Sequence, residues 1–283
     1  MTGVTVNACV VDANAAPASE RLDGDPLEVR PTLGRGTGFA ALQQRVLECG
    51  PGRSGPIATG DREEVMFVLE GAGTLVVDGA AHELEPESGA HLAPGERYEL
   101  RNAGPGTLRI ISVQIPEPAP GDTVAQRELA AQAAHHATTQ RELAAQTAST
   151  QREVVRKVAD QAAQPATTER EFRIVADPST GLRSATHFVG YVPAARAPGH
   201  FHAYDEVIYV LDGEGVLHVD GVAHPLAPGS CVQLPARTVH CLQNTGADVL
   251  RLVAVFRPAG SPAAAYYPDG TPAHPAAAPL EPA

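Results

Sequence analysis

The stretch Glu64-Val65-Met66-Phe67-Val68-Leu69-Glu70-Gly71-Ala72-Gly73 returns 142 residues later as Glu206-Val207-Ile208-Tyr209-Val210-Leu211-Asp212-Gly213-Glu214-Gly215. The match continues without a gap. Asp78-Gly79-Ala80-Ala81-His82 meets Asp220-Gly221-Val222-Ala223-His224, Asn102-Ala103-Gly104 meets Asn244-Thr245-Gly246, Leu108-Arg109 meets Leu250-Arg251, and Pro116 meets Pro258. From Glu64 to Pro116, 23 of 53 positions are identical at this offset. Unrelated sequence would share only a few, so the chain contains an internal duplication.

Each copy reads as β. Runs such as Val65–Leu69, Thr74–Val77 and Thr107–Val113 are rich in β-branched residues and are punctuated by Gly, Asp and Pro. Asp78-Gly79 and Asp220-Gly221 are hairpin signals, because a type I′ turn needs φ > 0 at both central positions. Many short strands with regular turns predict an all-β sandwich or small barrel.

Around the copies, 1–26 offers no clear element and reads as an extension to a first unit spanning 27–117. Residues 118–170, rich in Ala, Gln, Arg and Glu, form a linker before a second unit at 171–258. Gln126-Arg127-Glu128-Leu129-Ala130-Ala131-Gln132 recurs as Gln140-Arg141-Glu142-Leu143-Ala144-Ala145-Gln146, which suits a helical or disordered linker. The Ala/Pro-rich tail, 259–283, reads as disordered. Its Tyr266-Tyr267 pair is either a surface turn or a lid over a barrel mouth.

Composition excludes several classes. With 21 basic and 33 acidic residues the formal charge is −12, which disfavours nucleic acid and anionic membrane as partners. No apolar run approaches a membrane span and no signal peptide is evident, so the expected location is cytoplasmic. Lys157 is the only lysine and lies in a polar stretch, so a phosphate-binding GK[ST] loop is absent and Schiff-base chemistry is not expected. None of Cys9, Cys49, Cys231 and Cys241 forms a CxxC pair.

The chemistry-bearing stretch is Pro198-Gly199-His200-Phe201-His202-Ala203-Tyr204-Asp205-Glu206. On extended backbone, residues two apart face the same side, about 6.5–7 Å apart, so His200 and His202 can converge on one metal ion. Glu206 can add a carboxylate oxygen. His240, 34 residues later, can join if its strand returns beside the first.

These residues closely resemble the cupin superfamily. Its first motif is matched by His200, His202, Glu206 and Gly213, with the leading glycine displaced to Gly199. Its second motif is matched by Gly229, Pro235, His240 and Asn244, with Arg237 where the family usually has glycine. The resemblance implies two fused double-stranded β-helix (jelly-roll-like) barrels, a bicupin, with a metal in the second. At the duplication offset the first unit keeps Glu64 but has Ala58, Gly60 and Tyr98 at the three histidine positions, so its metal site is expected to be degenerate.

His187, on a strand before the motif, is a candidate acid or base pointing into the barrel. Tyr204 and Arg237, with Cys231 and Gln233, are candidates for lining its mouth. His91 is expected at the surface. Three neutral imidazoles and one carboxylate leave a divalent ion near charge +1. Fe(II) is favoured, with Mn(II), Ni(II) or Zn(II) as alternatives. By family analogy the expected function is a dioxygenase-like reaction on a small acidic or phenolic molecule. The alternatives are non-redox isomerase, decarboxylase or lyase chemistry, and a non-enzymatic binding or sensing role. A homodimer remains an option.

Overall fold

The computed structural model describes residues 8–19, 24–116, 152–275 and 277. They form β-strands and two short 3-10 turns, with no α-helix among the described residues. The repeated Gln-Arg-Glu segments lie outside the described residues, so the expectation of a helical or disordered linker is not addressed there.

Each copy builds a large and a small antiparallel sheet. In the first, the large sheet has the order Val155–Lys157, Ser88–Leu92, Glu63–Glu70, Leu108–Ile115, Gln43–Cys49, Leu27–Leu33. Facing it are Gly52–Arg53, Arg97–Asn102, Gly73–Val77 and Ala80–Leu84, with Ile57–Ala58 also on Arg97–Asn102. In the second, the order is Cys9–Asp12, Ser230–Leu234, Asp205–Asp212, Leu250–Arg257, Thr186–Val192, Glu171–Ala176, Gln164–Pro165. Its small sheet is Val222–Leu226, Gly215–Val219, His240–Asn244.

The Asp-Gly pairs make the expected turns. Asp78 and Gly79 have φ of 47° and 90°, Asp220 and Gly221 of 51° and 75°, and they close the Val77↔Ala80 and Val219↔Val222 pairs. Gly71 and Gly213 are matched for a steric reason. A Cβ would come within 2.5 Å of Thr107 O at the first and 2.9 Å of Leu250 Cα at the second.

Strand patterning shows where the core sits. In Leu250–Arg257, the residues Leu250, Leu252, Ala254 and Phe256 face the interior of the second barrel. Val253 and Val255 face the other barrel and join a shared core with Val175, Val189, Val207 and Tyr209 from one copy and Val46, Val65, Phe67, Ile111 and Val113 from the other. The central strands are therefore buried on both faces, which explains their continuous apolar runs. Burying one such side chain contributes about 1.5–3 kcal/mol, so this interface binds the two barrels into one body.

The expected boundaries are crossed twice. Cys9–Asp12, from the N-terminal extension, pairs with Ser230–Leu234 of the second barrel. Val155–Lys157, from the end of the linker, pairs with Ser88–Leu92 of the first. Ser88–Leu92 and Ser230–Leu234 are equivalent strands, so each barrel's open edge is covered by the segment preceding the other barrel. The tail also departs from expectation. Residues 259–275 are ordered on the second barrel, with Ala263, Ala264, Ala265 and Tyr266 buried.

Candidate metal centre

The site is built on a short ladder at the mouth of the second barrel. His200 N–H donates to His240 O (2.9 Å) and His240 N–H to His200 O (2.8 Å). Residues directly opposite in such a pair have adjacent side chains, and the two ring centroids are 4.6 Å apart. His202, two residues on, projects to the same side, 5.2 Å from the His200 ring and 5.8 Å from that of His240. One potential ligand nitrogen from each of the three lies within 4.8 Å of the others.

The hydrogen bonds decide which nitrogen is available. His200 Nδ1 contacts Pro198 O at 3.1 Å, His202 Nδ1 contacts Ala264 O at 3.0 Å, and His240 Nδ1 contacts Thr238 O at 2.9 Å. A carbonyl oxygen only accepts, so each Nδ1 carries the proton and donates. Each Nε2 keeps its lone pair. Burial lowers the pKa of all three rings, with His202 brought down to about 3. They are neutral donors, oriented by backbone carbonyls as metal-binding histidines are, and this donor set fits a divalent cation.

Glu206 shares the inward face of Asp205–Asp212 with Ile208 and Val210 and is 5% exposed. Burial raises its carboxyl to about 8 against the opposing charge of Arg170. The convergent group comprises the three histidines and not the Glu206 carboxylate. Tyr204 stacks on His202 (centroids 6.3 Å, 12° between planes), and both rings rest on Phe256 at 5.0 and 4.9 Å. Arg237 is exposed at the rim, and its N–H donates to His202 O. Its φ of 66° is the left-handed conformation that glycine adopts freely, which explains the usual family residue there. Tyr266 N–H donates to Phe201 O and Phe201 N–H to Tyr266 O, so the tail closes over the His200–Tyr204 segment.

Three expectations are corrected. His187 does not point into the barrel. It lies on the outward parity with Val189, is 2% exposed, and meets the Phe67 ring of the first barrel edge-on at 6.3 Å. Cys231 and Gln233 likewise face the first barrel, where Thr37 Oγ1 donates to Gln233 Oε1 at 2.6 Å. His91 is not at the surface. It is 4% exposed, and its Nε2 stands 3.4 Å from Glu63 Oε1.

The residue that motif matching missed is Arg170. It is part-exposed in the turn just before Glu171–Ala176, and its Nη2 donates to Leu242 O, two residues beyond His240.

In the first barrel, the Glu64 carboxylate is engaged by this chain's own side chains. Arg45 Nη2 lies 2.7 Å, Ser112 Oγ 2.6 Å and Tyr98 OH 3.1 Å from Glu64 Oε1. Arg45 pairs with Ser112 as Phe188 pairs with Ala254, so a guanidinium replaces an aromatic ring at the equivalent inward position.

Comparison with models of known protein families matches the cupin domain twice, at residues 45–114 and 187–256. Among curated proteins, the chain is 32% identical over 80 residues to the auxin-binding protein T85 of Nicotiana tabacum, covering 24% of this chain and 43% of that one. It is 35% identical over 86 residues to the protein SchB of Streptomyces halstedii, covering 29% and 62%. The match thus spans less than two thirds of either relative. Among solved structures, a putative glyoxylate-induced protein of Pseudomonas aeruginosa superposes with a TM-score of 0.66 at 17% identity, covering 88% of each chain. An oxalate decarboxylase of Bacillus subtilis does so with a TM-score of 0.64 at 14% identity, covering 90% of this chain and 78% of that one. These likenesses extend the fold across both barrels and the inter-barrel arrangement. With the duplicated motifs and the two matched domains, they place this protein in the cupin family, as a bicupin.

Proposed function

We propose that the second barrel holds one divalent cation on the Nε2 atoms of His200, His202 and His240, with Glu206 as an oxygen ligand, and that the chain is a metal-dependent enzyme acting there on a small carboxylic or phenolic molecule. The observation that carries this is the common tautomer of the three rings. Three separate carbonyls hold the Nδ1 protons, so three neutral lone pairs converge. A bound divalent ion supplies Lewis acidity and, as iron(II), redox chemistry with dioxygen.

The chain's own residues supply the rest. Phe256 and Tyr204 make an apolar floor and wall that exclude water, and the tail from Ser261 to Tyr266 narrows the mouth. Glu206, buried and held protonated until a cation displaces the proton, is placed to hold or release one proton beside the substrate. A dioxygenase-like reaction is the preferred chemistry. Non-redox decarboxylation is the second reading, supported by the fold shared with the oxalate decarboxylase of Bacillus subtilis. The four cysteines are not joined in disulfides, which suits a reducing, cytoplasmic setting.

Elemental analysis of protein purified without added metal tests this proposal. About one ion per chain is expected, lost in His200→Ala and His240→Ala and retained in Tyr98→Ala. Iron directs the search to oxygen consumption, and manganese or zinc to decarboxylase and isomerase assays. Full metal content in His240→Ala refutes the ligand assignment.

A further inference from the structure

The inner face of the first barrel turns polar at its mouth. Strand register sets Arg45 and Ser112 on the face of the core residue Met66, with Gln43, Gln114 and Glu64 one step nearer the mouth. Arg62 closes the row. Its Nη1 donates to Gln43 Oε1 at 3.2 Å and to Gln114 Oε1 at 3.0 Å, and Gln114 Nε2 donates to Glu64 Oε2 at 3.3 Å. The second barrel is lined differently. At the duplication offset Tyr204 stands for Arg62 and Phe256 for Gln114, and by register Phe188 stands for Arg45 and Thr186 for Gln43. One mouth is aromatic, the other guanidinium and carboxamide. A barrel kept only as scaffold gains nothing from that exchange, because two ordered arginines cost desolvation and side-chain entropy.

The mouth also has room and spare donors. The His200 and His202 positions are Ala58 and Gly60, and a Cβ at Gly60 would meet no atom within 4 Å. The Arg45 and Arg62 side chains are 19% and 32% exposed, so both reach solvent there. Asp61, 3.8 Å from Arg62 Nε, is exposed and screened by water. Among the described residues, nothing accepts from Arg62 Nη2, Arg45 Nη1 or Gln43 Nε2. Two guanidinium groups and the Glu64 carboxylate sum to one positive charge, in a chain of net charge −12.

We propose that the mouth of the first barrel is a second binding site, one that needs no metal, for a small acceptor-rich anion of the dicarboxylate or hydroxycarboxylate class, with Arg62 as its principal anchor. The two glutamine oxygens hold one nitrogen of Arg62 and so fix the plane of its fork before a ligand arrives, which cuts the ordering cost of binding. The remaining donors match an anion rich in oxygen. Gln43 and Arg45, two apart on one strand face, are about 6.5–7 Å apart, a spacing that a ligand with two oxygen-bearing ends can bridge. The site is independent of the metal assignment in the second barrel.

The test is calorimetric titration of the full chain, stripped of metal by a chelator, with malonate and tartrate as probes and malonamide as the uncharged counterpart. Both anions should bind the stripped chain, and equally well the His240→Ala chain, which separates this site from the second barrel. Arg62→Gln should weaken them about ten- to hundredfold and leave any binding of malonamide unchanged, while Arg62→Lys should recover part of the loss. Gly60→Asn gives an independent reading. Asparagine accepts the left-handed backbone at this position, where φ is 64°, and its side chain would project into the opening and should weaken both anions. If Arg62→Gln fails to fold, Gly60→Asn decides: a loss supports the site and an unchanged affinity overturns it. No anion binding to the stripped wild-type chain at millimolar concentration overturns the proposal, as does unchanged affinity in a folded Arg62→Gln. Binding that disappears in His240→Ala also overturns it, since the anion then belongs to the second barrel.

Discussion

Glu63 is a buried carboxylate of the first barrel spent on the second. Arg183 N–H donates to its Oε1 and Ser184 N–H to its Oε2, both at 2.9 Å, and Ser184 Oγ donates to Oε2 as well. His91 Nε2 stands 3.4 Å from Oε1. Burial alone would push this carboxyl up. The contact with His91 and the bonds from Ser184 and the Arg183 backbone outweigh it and bring the pKa down to about 2, from an ordinary value of 4.5. That difference is worth about 3 kcal/mol of stability at neutral pH, at about 1.36 kcal/mol per pKa unit. Because the folded-state pKa is lowered, the contribution is fully present above about pH 4.5 and lost as pH falls towards 2. It should shrink to about 1.4 kcal/mol near pH 3. Glu63→Gln keeps the shape and one acceptor but removes the charge. Urea unfolding of both proteins between about pH 7 and pH 3 should give a difference of about 2–3 kcal/mol that narrows with acid. Comparing the pair cancels the separate acid sensitivity of buried His187, whose pKa burial and the charge of His91 lower to about 3. Equal stability at neutral pH, or a gap that does not change with acid, would refute the reasoning.

Two further outcomes test other parts of the molecule. Arg45→Met should cost about 3–5 kcal/mol by leaving Glu64 buried without its cation, while the double change Arg45→Met/Glu64→Met should recover most of the loss, as read by thermal unfolding. Removing residues 259–283 takes away the Ala264 carbonyl that orients His202, and metal affinity measured by chelator competition should fall about ten- to hundredfold; unchanged affinity would mean that the tail does not support the centre.

Local signals were legible in the sequence. The duplication, the Asp-Gly hairpins and the spacing of His200 and His202 depend on neighbouring residues. Side-chain parity was harder. Thr186–Val192 is buried on both faces, so its apolar pattern does not say whether His187 or Phe188 enters the barrel. His91 misled for the same reason, because an outer sheet face counts as surface only until a second barrel covers it. The edge strands Cys9–Asp12 and Val155–Lys157 are too short to carry periodicity, and their partners lie far away in sequence. The tail was misjudged on composition. Its small alanines are what let it pack closely on Phe201.

The crossing of edge strands alters what one break in the chain would do. A protease cut anywhere in 117–151 would not release two self-sufficient halves. The N-terminal piece would carry Cys9–Asp12, which belongs to the other piece's sheet, and the C-terminal piece would carry Val155–Lys157, which belongs to the first. Each half would hold the other's missing edge, like two clasped hands. The nicked protein should therefore run as one particle, and halves produced separately should be poorly behaved until mixed. The duplicated gene thus encodes two barrels that can no longer be inherited or lost one at a time.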